Sequence, residues 1–221
     1  RVVSWQIERI AKYQNLSVHG IYDIDQKVSD SYASNGYKTF FSVEELATSG
    51  ADVIAIATPS DNHFDSLEKL SFYCPDKQCI TIEKPTFLKL NDYKKASVIA
   101  NKKSLNIIPV FQNRYNNVVQ YCKSLIDSGS LGELLHAKIN LSWCRPQRYY
   151  DQADWRGKWE SDGGALTNQG IHFIDLARYL CGDIVNTSFR MDRADVSIEC
   201  ENVAVGSLRT ESDRLISVDI N

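Results

Sequence analysis

A chain of 221 residues, 43% hydrophobic and 24% charged, is long enough to bury a sizeable core in one or two domains. Its 25 Lys and Arg against 28 Asp and Glu leave a net charge of -3, which gives no electrostatic case for nucleic acid; a small anion held by a few local cations remains compatible with it. No stretch approaches the roughly 18 apolar residues of a membrane helix. The six cysteines include neither a Cys-x-x-Cys pair nor the Cys/His spacing of a zinc site, so they read as reduced thiols of a cytoplasmic protein with no metal.

In chain order, Val3, Ile7, Ile10 and Ala11 lie at helical spacing and predict a helix over 2–14. The apolar run 16–22 predicts a strand ending at Asp23. A helix at the very start needs a strand before it, and the chain opens with Arg1 rather than Met. In a dinucleotide-binding unit a strand and a glycine-rich turn precede the first helix, and an acidic residue about 20 positions on receives the ribose hydroxyl. Asp23 stands where that carboxylate belongs, so the first strand and the glycine loop are expected upstream of Arg1. Helices near 25–35, 61–72 and 90–102 then alternate with apolar strands at 52–57, 78–82 and 105–110. Continuous apolar strands between helices imply a parallel sheet covered on both faces, an α/β Rossmann-type domain over 1–111.

Such sheets bind ligands beyond the carboxyl ends of their strands. The residues there are Asp23, then Thr58 to His63, then Glu83-Lys84-Pro85, then Gln112 to Asn116. Each has a bland reading. Thr58-Pro59 can be an ordinary turn with Ser60 or Asp61 capping the next helix, Lys84 a surface lysine before proline, and His63 a structural histidine. Four polar segments at strand ends together favour a site.

After residue 116 the pattern changes. A helix over 116–129 precedes a stretch in which Ala137, Ile139, Leu141 and Trp143 alternate with polar residues; 203–209 and 216–220 are further strands. Together they predict an α+β domain over 112–221 with a mostly antiparallel open sheet, incomplete at the chain end. Between its strands, 155–175 sets an aromatic and glycine-rich loop against a helix. At about 100° per residue Asn168, His172 and Asp175 share one arc, while Phe173, Ile174, Ala177, Leu180 and Cys181 fill the other side, so one face should pack and the other present polar groups. The bland alternative is a solvated His172–Asp175 pair.

Glu83-Lys84-Pro85 after a parallel strand, Thr58-Pro59 with His63, and Gly163-Gly164 followed by Asn168 and His172 resemble the Gfo/Idh/MocA family of NAD(P)-dependent sugar oxidoreductases. Within it, 143–150, 154–159 and 164–172 look like the branch that oxidises UDP-N-acetyl-glucosaminuronic acid at C3 for surface polysaccharides such as lipopolysaccharide. The resemblance implies that Lys84 and His172 are catalytic, that the Lys84–Pro85 bond is cis, and that Asp23, Thr58, Pro59, Asn62, His63, Glu83, Lys84 and Gln112 line the cofactor. Many members carry Asp where this chain has Asn168. Asn cannot accept a proton, so Asn168 orients while Lys84 or His172 acts as base.

Asp23 without an adjacent arginine argues for NAD over NADP, since a carboxylate repels a 2′-phosphate. For a multiply anionic nucleotide sugar the candidates are Arg114, Arg145, Arg148 and Arg156, with Tyr149, Tyr150, Trp155 and Trp159 as walls and Asn168 and His172 at the reacting sugar. At least one of Arg145 and Arg148 is expected to serve only solubility. A homo-oligomer, dimer or tetramer, is expected through the second-domain sheet, and no nucleic acid or membrane partner. The alternatives are another sugar or cyclitol dehydrogenase of the same family, or a cofactor-holding protein without catalysis.

Overall fold

A computed structural model describes residues 2–221. The strand and glycine loop expected before Arg1 lie outside them. The contacts divide the chain into a unit ending at Pro109 and a second unit, Val110–Asn221.

The first unit runs α1 (Val2–Ile10), α2 (Gln26–Ser34), α3 (Val43–Ala47), β1 (Val53–Ile56), α4 (His63–Tyr73), β2 (Cys79–Ile82), α5 (Leu90–Lys103) and β3 (Asn106–Pro109). Its three strands pair in the order β1-β2-β3, all parallel. Ile80 and Ile82 of the central strand are wholly buried, and Leu67, Leu70 and Phe64 of α4 pack against the sheet with Ala96 of α5. Local chemistry sets the helix ends. Asp25 caps α2 by accepting the Lys27 N–H, and Ser42 accepts from Glu45 N–H while the Glu45 carboxylate returns to the Phe41 N–H at 2.8 Å.

Two expectations change here, and one element is new. The segment 16–22 is not a strand: only Ile21 pairs, in an isolated parallel bridge to Thr39, because the backbone opposite it is limited to Lys38–Phe40. The first helix stops at Ile10, where Lys12 N–H and Tyr13 N–H turn to the carbonyls three residues back and tighten the chain into turns. The five residues of α3 escaped anticipation because they are too few to show a helical period.

The second unit contains α6 (Asn117–Asp127), β4 (His136–Leu141), α7 (Gln147–Tyr150), a π-helical turn (Leu166–Gly170), α8 (Ile171–Cys181), β5 (Ile184–Asp192), β6 (Val203–Thr210) and β7 (Leu215–Ile220). The sheet order is β4-β7-β6-β5, with β4–β7 parallel and the other pairs antiparallel, a mixed and mostly antiparallel sheet. Ala204 and Leu208 of β6, Ile216, Val218 and Ile220 of β7, and Ala177 and Cys181 of α8 form its core. The long edge strand β5 was not anticipated. A register shift between Ile184 and Asn186 breaks its alternation, and only Ile184 and Phe189 lean on the core. Among the described residues no helix is long and apolar enough to cross a membrane.

Candidate active site

In the first unit the strand-end loops are tied together by His63, which opens α4 and is 1% exposed. Its Nδ1 lies 2.9 Å from Pro85 O and 3.1 Å from Thr86 O, and its Nε2 lies 2.9 Å from Thr58 O. The ring is therefore a strut between the turn after β1 and the turn after β2. Neither Ser60 nor Asp61 caps α4. Thr58, Pro59 and Asn62 are exposed beside that strut. After β2 the Glu83 N–H is held by Ile56 O at 3.0 Å, and Glu83 Oε1 accepts from Gln6 Nε2 at 2.8 Å. Lys84 is half-buried and its bond to Pro85 is cis.

Asp23, exposed, accepts the Asp25 N–H on Oδ1 at 2.9 Å. A carboxylate so placed can accept the hydroxyls of a ribose and would repel a phosphate on it. This donor set fits NAD.

In the second unit the polar residues of the helix are not presented to water. His172 is 9% exposed and Asp175 6%, so the polar arc is packed like the apolar one and the solvated pair does not form. Asn168 belongs to the π-helical turn rather than to α8, so a constant 100° step does not relate it to His172. Asp175 meets Arg114 in a bidentate pair, Oδ2 with Nε at 2.7 Å and Oδ1 with Nη2 at 2.5 Å. That hydrogen bond raises the Arg114 guanidinium above its ordinary value against the cost of partial burial. The guanidinium also lies 5.1 Å over the Tyr179 ring. Arg114, expected at the substrate, thus commits its fork to holding the turn Gln112–Tyr115 against α8; Gln112 stands exposed on that turn.

Two buried carboxyl groups, neither anticipated, brace the π turn. Asp162, 4% exposed, accepts the Gly157 N–H at 2.8 Å on Oδ2 and the Asn168 amide on Oδ1. Glu201, also 4% exposed, accepts the Leu166 N–H at 3.0 Å, and its backbone carbonyl accepts the Ala165 N–H at 3.0 Å. Burial pushes the Glu201 carboxyl above the usual range and nearby Asp162 adds to this, while the bond from Leu166 opposes it. Gly164, at φ +81°, passes under this carboxyl so closely that a Cβ there would stand 1.9 Å from Oε2. Asp162, six residues before Asn168, could have been suspected from sequence; Glu201 and Gln6 left no signal there.

The aromatic loop gathers positive charge. Tyr149 Oη accepts from Nη1 of both Arg145 and Arg156, and the two guanidinium carbons lie 4.1 and 4.2 Å from its ring centroid. The ion pairs Arg114–Asp175, Lys123–Asp127, Arg178–Asp183 and Arg209–Asp213 include neither arginine. Arg148 is exposed on α7, Tyr150 is buried, and Trp155 and Trp159 are 40% and 50% exposed. Arg145, Trp143, Tyr150, Asp162, Asn168 and Cys200 are among the residues lining one cavity of about 610 Å³. That volume is in the range of small-molecule sites.

Comparison with known proteins follows this geometry. The pattern of the oxidoreductase family with an NAD-binding Rossmann fold matches residues 4–111, and that of the GFO/IDH/MocA C-terminal domain matches 119–221. The WlbA dehydrogenase of Bordetella pertussis, solved in complex with NADH and UDP-GlcNAcA, is similar with a TM-score of 0.89 and 30% identity, over 100% of this chain and 69% of that one. Glucose-6-phosphate 3-dehydrogenase of Bacillus subtilis is 29% identical over 82% of this chain and 51% of its own length. The NAD(+)-dependent scyllo-inositol 2-dehydrogenase of the same organism is 29% identical over 63% of this chain and 38% of its own length. The chain thus spans about half or less of these two curated relatives.

Proposed function

The chain belongs to the Gfo/Idh/MocA oxidoreductase family, and we propose that the protein is an NAD-dependent dehydrogenase acting on the C3 carbinol of a UDP-N-acetyl-hexosaminuronic acid. It would serve the cytoplasmic synthesis of surface polysaccharide sugars. The observation that carries this reading is the cavity in which Asn168 and Arg145 meet, with Arg145 and Arg156 clasping Tyr149 without a carboxylate partner. Paired guanidinium groups on an aromatic ring suit a diphosphate or a uronate carboxylate. An uncharged sugar would leave them without a counter-charge.

Asp23 would hold the ribose of NAD, which when bound would supply the hydride acceptor. The residues of the chain handle the proton. As hydride leaves the carbinol carbon with its electron pair, the hydroxyl proton must pass to a base within hydrogen-bond reach. Lys84, following β2, and His172, in the first turn of α8, are the groups able to take it. Asn168 holds the hydroxyl in line without taking the proton. Thr58, Pro59, Asn62, Glu83 and Gln112 are assigned to the cofactor side, with His63 fixing the loops that carry them. Tyr149, Trp155 and Arg156 are assigned to the nucleotide sugar. A second copy is proposed to pack on the sheet face that carries exposed Val205, which pairs with Arg190 and Asp219 on its neighbours.

The rival is a sugar-phosphate or cyclitol dehydrogenase, as two relatives at 29% identity are. NADH formation is compared with UDP-GlcNAcA, glucose 6-phosphate and scyllo-inositol as substrates. Turnover of the nucleotide sugar above the other two supports the proposal. Turnover of either other compound in its place overturns the substrate, and NAD binding with no turnover of any sugar points to a non-catalytic protein.

A further inference from the structure

The aspartate before the glycine pair sets the polarity of the active-site amide. A carboxylate only accepts hydrogen bonds, so the atom that Asn168 turns toward Asp162 Oδ1 is its Nδ2, and its Oδ1 faces away, toward Gln169 Nε2 at 3.2 Å. Asp162 cannot rotate out of this contact, because its other oxygen is held by the Gly157 N–H at 2.8 Å and the side chain is 4% exposed. The turn that carries Asn168 is fixed in its own right by Glu201 through the N–H groups of Leu166 and Ala165. Both Asp162 and Asn168 line the 610 Å³ cavity.

We propose that Asp162 is a positioning residue of the sugar-oxidising site: it locks the Asn168 amide with its oxygen as the acceptor for the reacting hydroxyl, and so makes Asn rather than Asp the working residue at that position. This rests on the proposed function. An aspartate at 168 would face the Asp162 carboxylate across a hydrogen-bond contact, and two carboxyl groups so placed must share a proton. Asp162→Asn instead turns the amide round. Its oxygen stays with the Gly157 N–H, its new N–H₂ faces Asn168, and Asn168 must answer with Oδ1, swinging Nδ2 to where the acceptor stood.

The test uses the full-length protein with NAD and UDP-GlcNAcA. Steady-state kinetics are measured across pH for the wild type, Asp162→Asn, Asn168→Asp and the double variant, with thermal unfolding as the check on folding. Asp162→Asn is expected to lower kcat by about 10²-fold with a much smaller change in KM, because it misdirects one group rather than emptying the site. Asn168→Asp is expected to lose activity at neutral pH and regain part of it on the acid side, where the carboxyl pair holds its proton. The double variant, in which the amide and the carboxylate have exchanged places, is expected to recover at least about tenfold over either single change, a non-additivity that only direct coupling produces. If Asp162→Asn keeps the wild-type kcat and pH profile, or the double variant is no better than the worse single, the inference is overturned while the proposed function stands. If the wild type turns over no sugar with NAD, the proposed function falls and takes this inference with it.

Discussion

The two units brace their chemical groups by opposite means. In the first, the loops after β1 and β2 are joined by one buried imidazole that meets the backbone carbonyls of Thr58, Pro85 and Thr86. In the second, three buried acids do the bracing: Asp162 on Asn168, Glu201 on the π turn, and Asp175 on Arg114. Backbone carbonyls move only with the segments that carry them, so the first arrangement ties one strand-end loop to the other. A buried carboxyl fixes whichever donor faces it, and leaving it without one costs far more than losing a neutral bond. The second unit is therefore the one in which single substitutions and pH should show most clearly.

Catalysis should give the largest effects and apply to both units. Lys84→Ala and His172→Ala are each expected to lower kcat by about 10²–10⁴-fold, the usual reach of a positioned acid or base, with NAD binding retained, as read by steady-state rates and cofactor titration. An unaltered rate in either variant would remove that residue from the mechanism. Stability follows. Gly164→Ala forces a Cβ into the Glu201 carboxyl at a backbone angle that Ala resists, and should cost about 3 kcal/mol in denaturant unfolding. Asp175→Ala strands the partly buried Arg114 charge for about 3 kcal/mol, whereas His63→Ala, which frees only neutral carbonyls, should cost about 2 kcal/mol. Equal losses at these two positions would erase the contrast between the units.

A smaller, pH-dependent effect isolates Glu201. Its carboxyl is raised in the folded state, so the fold binds that proton more tightly than the unfolded chain does. Its contribution to stability is present below the ordinary carboxyl range and lost as pH rises through the raised value. Glu201→Gln keeps the acceptor for Leu166 and removes the ionisation. Its melting temperature should match the wild type in acid and exceed it at neutral pH, and a constant difference across pH would refute the assignment. Last, alkylation should separate the cysteines: exposed Cys144 labels in the native protein, while Cys200, buried and pushed up to about 12, labels only after unfolding.

Much of the first unit was legible because its chemistry follows chain order. A residue after an apolar run is a residue at a strand end, and Thr58, His63, Glu83 and Lys84 all announce themselves this way. What stayed hidden there is what depends on partners: Gln6 lies 77 positions from the Glu83 it binds, and the run at 16–22 looks like a strand although only Ile21 finds a neighbour. In the second unit Asn168 and His172 were visible as a motif, but their supports were not. Glu201 acts 35 residues from Leu166, and Arg114 acts 61 residues from Asp175. No periodicity encodes a carboxylate and a donor that meet only after folding. The bland alternative of a solvated pair on α8 could not be dismissed from sequence for the same reason, since a polar stripe looks alike whether water or Arg114 covers it.

The π turn over Leu166–Gly170 also has a consequence for insertions and deletions. It closes on one more residue than an α turn. A deletion of a single codon within it would let the helix run on regularly into α8, leaving Ala177 and Cys181 in their core, yet would rotate everything before the deletion by about 100° around the axis. With the deletion after Asn168, that amide would leave the Asp162 carboxylate and the Leu166 N–H would leave Glu201. At this one turn, chain length counted to the residue is as much a determinant of activity as the identity of any side chain.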